Sequence, residues 1–290
     1  MLDAVEIVKH PVLGVGISAT TYDEICRVCR IWIEQRRVWR YDNSASTTAL
    51  PGHSVFLCPV HSVMTAVLHP DLKRIFNSAD IAAPDGMPVA WALRSFGFER
   101  QPRVYGPDLM LALCSQAERL QHRVFLYGGR EDSSGVLRRC LQRRFPGLII
   151  AGACVPPFRP LTPAEDVECV KGITACDTDI VFVGIGAPKQ ERWITAHRDI
   201  LRGVVMVGVG AAFDFHAERV KQAPRWMQQA GLEWCFRLLI EPRRLWRRYL
   251  LLNPLFLVMW VLQKTGVLRY PDSNLRSWLR VRTCDAALNP

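Results

Sequence analysis

The chain has 290 residues, of which 49% are hydrophobic and 22% are charged. This composition excludes a disordered chain and is sufficient for one large or two modest domains. The formal net charge of +10 is concentrated late in the sequence and implies an anionic partner, either nucleotide phosphates, nucleic acid or an acidic lipid surface.

Ten cysteines are scattered through the sequence, and only Cys26 and Cys29 have the spacing of a metal-binding pair. No second pair completes a zinc site, so we predict buried free thiols and a reducing, cytoplasmic environment. The first 14 residues carry acidic side chains and have no long apolar core, so they do not resemble a signal peptide.

The first apolar segments predict a strand followed by a helix. Residues 12–18 are typical of a short strand, and residues 21–35 have apolar side chains at helical spacing. Thr21 is the expected N-cap of this helix, and Glu24 lies three residues later, where it would complete a capping box. The polar residues 40–53 lack periodicity and are predicted to form a loop.

A second apolar run leads into a broken helix. Residues 54–60 predict a strand, and residues 61–80 predict a helix interrupted near Pro70, because proline has no backbone N–H to donate. The stretch IAAPDGMP at 81–88 has loop composition, and another helix is predicted from about 89 to 96.

The second half of the chain repeats a strand–helix unit. Strands are predicted at 123–129, at 148–153, from 179 and at 204–214, and helices at 132–145, at 161–176 and from Lys189. Thr162 is the expected N-cap of the second of these helices, with Pro163 at its first position. Short strands of Val, Ile and Leu alternating with helices of about 12–15 residues predict an α/β fold with a Rossmann-like parallel sheet and helices on both faces.

The tail changes character near residue 235. Five arginines precede a nearly continuous apolar run at 250–262, which Asn253 and Pro254 interrupt. Its thirteen residues are fewer than the ~20 that a helix needs to cross a bilayer. We predict a basic, apolar helical appendage over 236–290 that lies in a membrane interface, beside an α/β domain over 1–235. A buried helix or a dimer contact is the alternative.

Three glycine-rich loops follow predicted strands, at 127–131, 183–189 and 208–214. Ligands of parallel α/β sheets bind beyond the carboxyl ends of the strands, and glycine lets the backbone approach a phosphate, so a nucleotide-like ligand is expected. The glycines expected to contact it are Gly128, Gly129, Gly184 and Gly186. The P-loop, GxGxxG, GxSxG and HExxH motifs are absent, and no metal centre is predicted.

Asp85 is the strongest catalytic candidate. It lies between Pro84 and Gly86, so that the turn would project its carboxylate, and apolar surroundings would raise its pKa into the range of a general base. A turn residue without a catalytic role is the alternative. Arg103 follows a proline and could clamp a diphosphate, whereas Asp108 could simply cap the next helix.

Five motifs together resemble the WecG/TagA/CpsF glycosyltransferases. They lie in order and without large gaps between about residues 55 and 250, at 84–91, 103–110, 183–191, 208–215 and 223–249. The resemblance implies an inverting, metal-independent enzyme without a cofactor. Such an enzyme transfers a sugar from a UDP-sugar to a polyprenyl-diphosphate-linked saccharide at the inner face of the cytoplasmic membrane, in exopolysaccharide, capsule or cell-wall polymer biosynthesis.

The resemblance also implies roles for individual residues. Asp85 would deprotonate the acceptor hydroxyl, and Arg103 would bind the donor diphosphate. Gln190 would hydrogen-bond the donor sugar or nucleotide, and Asp214 would lie by the nucleotide pocket. The appendage arginines that could neutralise the leaving UDP are Arg237, Arg244, Arg247 and Arg248.

The chain departs from the family where a Thr-x-Asn pattern often contacts the donor. Cys58 stands at the position of the threonine, and His61 could supply the polar contact instead. The sequence therefore leaves four candidate donor sugars: N-acetylmannosamine, its uronate, glucose and glucuronate. It also leaves open whether the protein forms a homo-oligomer.

Two other functional classes remain as alternatives to a glycosyltransferase. One is an NAD-dependent oxidoreductase or epimerase, which the missing fingerprint disfavours. The other is a non-catalytic assembly protein on the membrane surface. Nucleic-acid binding is disfavoured because the arginines adjoin a tryptophan-rich apolar run, which suits anionic lipid better.

Overall fold

The N-terminal segment forms a small antiparallel sheet with the end of the chain. The computed structural model describes residues 5–41, 50–270 and 278–281. The strands of this sheet are β1 (Val5–Val12), β2 (Val15–Ala19) and β9 (Trp278–Val281), with β1 in the middle. The prediction of a single strand over 12–18 is wrong, because a turn at Leu13 and Gly14 divides that segment between two strands.

A six-stranded parallel sheet forms the centre of the protein. Its strands are β3 (His53–Cys58), β4 (Ile81–Pro84), β5 (Arg123–Gly128), β6 (Ile149–Cys154), β7 (Ile180–Gly184) and β8 (Val205–Gly208), in the spatial order β4-β3-β8-β7-β5-β6. Each neighbouring pair is parallel, which confirms the predicted α/β sheet. Successive side chains of a strand point to opposite faces. Accordingly, Val55 and Leu57 belong to one buried cluster, and Phe56 and Cys58 to the other.

Helices connect the strands and cover both faces. Before β5 these are α1 (Tyr22–Tyr41), α2 (Val60–Leu68), α3 (Pro70–Ser78), α4 (Met87–Ser95) and α5 (Gly106–Leu120). After it come α6 (Glu131–Arg144), α7 (Pro163–Ala175), α8 (Lys189–His197) and α9 (Ala212–His216). Both predicted N-caps are confirmed: Thr21 Oγ1 and Thr162 Oγ1 each accept a 3.3 Å hydrogen bond from the backbone N–H three residues later. The helix break predicted near Pro70 is also confirmed.

Two segments near the carboxyl edge of the sheet differ from the sequence-based expectation. Residues 81–84, expected to form a loop, form the edge strand β4 because their small apolar side chains are fully buried against β3. The strand expected at 204–214 ends at Gly208, and α9 begins at Ala212.

The C-terminal segment is a series of helices that ends in one long helix. It comprises α10 (Arg225–Gln229), α11 (Glu233–Ile240), α12 (Pro242–Trp246), a π-helical segment (Arg247–Leu252) and α13 (Asn253–Lys264). The last three are continuous, and we call them the C-terminal helix (Pro242–Lys264, 23 residues). Asn253 and Pro254 interrupt the apolar run in the sequence but do not break the helix, because Pro254 lies in the first turn of α13, directly after the π-helical segment.

One flank of the C-terminal helix is docked on the α/β body. Phe256 is fully buried, and Trp260 Nε1 donates to Ser95 Oγ at 3.0 Å. Near its end, Gln263 Nε2 donates to Pro11 O at 2.8 Å. By length and composition this is the one helix, among the residues described, that could cross a membrane, yet these contacts hold its inner flank against the protein.

Candidate functional site

A pocket of about 1060 Å³ opens beyond the carboxyl ends of the parallel strands. Its walls come from the loops that follow all six strands of the parallel sheet, from the start of α5, from α11 and from the C-terminal helix. This is where parallel α/β sheets bind ligands. The predicted site residues that line it are Asp85, Arg103, Gln190, Asp214, His61, Gly129, Gly184, Gly186, Arg237, Arg244 and Arg248.

Asp85 lies in the turn between β4 and α4. Its N–H donates to Cys58 O at 3.3 Å, and only 18% of its side chain is exposed. Burial is the main cause that raises the pKa of Asp85 to about 6; Arg103 and Arg237 lower it, whereas Glu233 raises it further. An aspartate in this position can take up a proton near neutral pH.

Arg103 connects the α/β body to the C-terminal segment. The N–H of Val104 donates to Pro84 O at 2.9 Å, which places Arg103 beside Asp85. Its Nη2 donates to Asp85 Oδ1 at 3.4 Å and to Glu233 Oε2 at 2.5 Å. Burial disfavours the charge, but the two carboxylates outweigh it and raise the pKa of Arg103, which therefore stays protonated. The sequence did not identify Glu233 as a site residue, because its partner lies 130 residues earlier in the chain.

The start of α8 places an amide and a carboxylate side by side. Gln190 Nε2 donates to Glu191 Oε1 at 2.9 Å, while Gln190 Oε1 is buried without a hydrogen-bond partner. Burial raises the pKa of Glu191 to about 7. Gln190 faces the pocket, so its free oxygen can accept a hydrogen bond from a ligand.

The glycines of the loops have two different roles. A Cβ on Gly128 would lie 2.6 Å from the backbone of Gly184, and one on Gly184 would lie 2.6 Å from the ring of Phe213. Both positions therefore need glycine for close packing. Gly128 does not line the pocket, whereas Gly129 and Gly186 do.

His61 and Cys58 flank the end of β3. His61 lines the pocket at the start of α2, and burial, helped by Arg248 and Arg237, lowers its pKa to about 3. It is therefore neutral at physiological pH. Cys58 is fully buried in the core and does not line the pocket. The contact between Cys58 and the donor sugar, expected from its position in the sequence, stays a prediction.

Three of the four arginines that the resemblance singled out in the C-terminal segment face the pocket. Arg237 packs 5.5 Å from the ring of Phe215, and its Nε is buried without a partner. Arg244 and Arg248 also line the pocket. Arg247 does not; its guanidinium lies 5.3 Å from the ring of Trp246.

An aromatic wall that the sequence did not reveal completes the pocket. Trp193 stacks between Tyr127 and His197, with ring centroids 4.2 Å and 4.3 Å away. The Asp166 carboxylate contacts Trp193 Nε1 at 3.2 Å and His197 Nε2 at 2.9 Å. Helical spacing could have paired Trp193 with His197, but no local pattern links either to Asp166 on α7.

Comparison with known proteins gives a consistent set of relatives. The family model described as "Glycosyl transferase WecG/TagA/CpsF family" matches residues 10–269. A Bacillus spizizenii protein named N-acetylglucosaminyldiphosphoundecaprenol N-acetyl-beta-D-mannosaminyltransferase is 35% identical over 185 residues, which cover 64% of this chain and 70% of that protein. Proteins of the same name are 32% identical in Bacillus subtilis (64% and 70% covered) and 30% identical in Staphylococcus aureus (63% and 70% covered).

Proposed function

Because the chain belongs to the WecG/TagA/CpsF family of glycosyl transferases, we propose that it moves a sugar from a UDP-sugar to a saccharide carried on polyprenyl diphosphate. The relatives are named for transfer to N-acetylglucosaminyldiphosphoundecaprenol, a sugar linked to a lipid diphosphate. The observation that carries the proposal is the Asp85–Arg103 pair in a pocket that the arginines of the C-terminal segment also line. The product would be a lipid-linked precursor of a surface polysaccharide such as exopolysaccharide, capsule or cell-wall polymer.

Asp85 is the proposed general base. It removes the proton from the acceptor hydroxyl, whose oxygen attacks the anomeric carbon as the bond from that carbon to the UDP oxygen breaks. With a pKa of about 6, the carboxylate is mostly ionised at neutral pH and yet more basic than an exposed aspartate. A single displacement of this kind inverts the configuration at the anomeric carbon.

The departing diphosphate is proposed to be neutralised by arginines. Arg103 Nε, Arg237 Nε and Tyr105 Oη are buried in the pocket wall without hydrogen-bond partners. Unpartnered buried donors are costly, so an anion that accepts hydrogen bonds from them is favoured. We also propose a metal-independent reaction, in which these arginines meet the charge on the diphosphate that a metal ion would otherwise neutralise.

The donor side of the pocket is proposed to include Gln190, Asp214 and His61. Gln190 Oε1 is a free acceptor for the donor sugar or nucleotide, and neutral His61 can donate or accept. The N-acetylmannosaminyl group in the names of the relatives makes UDP-N-acetylmannosamine the first donor to test.

The outer flank of the C-terminal helix is proposed to lie on the inner face of the cytoplasmic membrane. The exposed apolar side chains of this helix are Trp246, Leu250, Leu251, Leu255, Leu257, Val258 and Val261. The neighbouring exposed arginines would contact anionic headgroups. Because Arg244 and Arg248 belong to the same helix, membrane contact would hold the pocket close to the lipid-linked acceptor. In this proposal residues 1–235 form the catalytic unit and residues 236–290 the appendage, which contacts the membrane through the C-terminal helix and returns through β9 to pair with β1.

The test is a panel of UDP-N-acetylmannosamine, UDP-glucose and UDP-glucuronate, incubated with polyprenyl-diphosphate-N-acetylglucosamine in EDTA. One donor should give a lipid-linked disaccharide and free UDP. Activity that returns only with added Mg²⁺ contradicts metal independence. A protein that binds UDP but transfers none of these sugars would instead fit a non-catalytic assembly role, and NAD-dependent turnover would identify an oxidoreductase.

A further inference from the structure

A carboxylate from the C-terminal segment lies inside the catalytic pocket. Glu233, in the first turn of α11, has only 11% of its side chain exposed and contacts Arg103 Nη2 at 2.5 Å. The same nitrogen lies 3.4 Å from Asp85 Oδ1, so one guanidinium nitrogen serves two carboxylates. Glu233 is the closer partner, and it competes with Asp85 for the positive charge.

The loop before α11 is packed against the helix that follows the base. A Cβ on Gly231 would lie 3.2 Å from Met87 Cβ and from the ring of Trp91, both on α4, and Gly231 has a φ of 74°. Only glycine combines this backbone conformation with such a close approach. Because α4 begins two residues after Asp85, docking of α11 fixes Glu233 relative to the base.

We propose that Glu233 is a positioning residue, through which docking of α11 orients Arg103 and keeps the Asp85 carboxylate basic enough to act. The inference rests on the proposed glycosyl transfer with Asp85 as base. Without the negative charge of Glu233, more of the positive charge of Arg103 would act on Asp85, and the base would be weakened. Part of that charge would also become available to the diphosphate of UDP.

The electrostatic surroundings of Asp85 support this role. Arg103 and Arg237 lower the pKa of Asp85, and Glu233 raises it. The tyrosines whose charge would be felt there have raised pKa values, so they remain neutral over the assay range; they are Tyr22, Tyr105 and Tyr249. The buried thiol of Cys58 is likewise held neutral by its raised pKa. Glu233 is therefore the acidic partner whose removal should change the base.

Glu233→Gln removes the charge and keeps the shape, and Glu99→Gln is the matched control, because Glu99 is an exposed carboxylate outside the pocket. For Glu233→Gln, the acid limb of the pH–rate profile should move to lower pH by roughly one unit, since a nearby like charge shifts a carboxyl by about that much. The kcat should fall, and UDP should bind roughly fivefold more tightly because Arg103 loses its competitor. Glu99→Gln should match the wild type in all three measurements.

A fall in rate that is equal at every pH, with unchanged UDP affinity, would show that Glu233 is only structural and would overturn the inference. If Glu233→Gln does not fold, Glu233→Asp decides: its shorter side chain holds the carboxylate farther from Arg103, so a smaller shift of the acid limb to lower pH supports the role, and an unchanged limb with a lower kcat overturns it. The proposed function fails separately, if the wild type transfers no sugar; the UDP affinities of the variants then still test whether Glu233 competes for Arg103.

Discussion

Replacing Asp85 with asparagine is expected to stop catalysis and to stabilise the fold. Burial raises the pKa of this carboxyl from 3.8 to about 6 even though Arg103 lies beside it. A folded-state pKa above the unfolded value means that the contribution of Asp85 to stability is complete below about pH 3.8 and is lost as the pH rises through about 6. The difference of about two pH units corresponds to roughly 3 kcal/mol at pH 7.

Asparagine has nearly the same shape and no charge to desolvate, so the variant escapes this cost. Its Tm at pH 7 should exceed that of the wild type by about 5–10 °C, measured by circular dichroism, and the two should nearly coincide at pH 4. Transfer of sugar from the active UDP donor should fall by roughly 10²–10⁴-fold, while UDP affinity is retained.

Asp108→Asn is the matched control for the loss of one carboxylate. Asp108 is exposed in the first turn of α5, where a negative charge is mildly favourable, so its removal should lower the Tm slightly and leave transfer intact. A Tm of Asp85→Asn equal to or below that of the wild type would refute the burial argument. Near-normal transfer by this variant would refute Asp85 as the base.

Three further outcomes are expected. Gln190→Ala should lower kcat/KM for the donor by about tenfold or more, because the free Oε1 acceptor in the pocket is lost; unchanged donor kinetics would contradict its role. The transfer rate should fall below about pH 6 as Asp85 becomes protonated. The variant His61→Gln should keep the same midpoint of the pH–rate profile, because the pKa of His61, about 3, lies far below it. A midpoint that moves in His61→Gln would contradict Asp85 as the group that titrates. Val258→Asp should weaken binding to anionic phospholipid vesicles several-fold and leave the Tm unchanged. Val167→Asp, a change at a similarly exposed valine on α7, should leave vesicle binding unchanged. Equal effects of the two substitutions on vesicle binding would argue against the C-terminal helix as the membrane contact.

The local features of the fold could be predicted because short-range physics produces them. Thr21 and Thr162 cap helices through hydrogen bonds to residues three positions away, and Pro70 ends one helix and begins the next. Runs of Val, Ile and Leu between helices predicted the parallel sheet. The loops at its carboxyl edge then placed Asp85 and Gln190 at one pocket, because all parallel strands end on the same side.

Errors in secondary structure occurred where burial overrode local preference. The Ile-Ala-Ala-Pro stretch of β4 has loop composition, yet it is a buried edge strand because β3 supplies the hydrogen-bonding partner. The apolar run around Pro254 gave too short a segment, because ten further helical residues flank it and the sequence pattern alone does not show that they continue the same helix.

The sequence by itself determined the α/β class, the caps, the glycine loops and the residues of the PDG turn, since each depends on neighbours within a few positions. Only the tertiary structure decided that Glu233 shares Arg103 with Asp85 and that the C-terminal helix docks through Phe256. Contacts between residues more than a hundred positions apart depend on how whole helices pack, and the chemistry of a single residue does not specify its partner. The electrostatics of the base are therefore a property of the assembled fold.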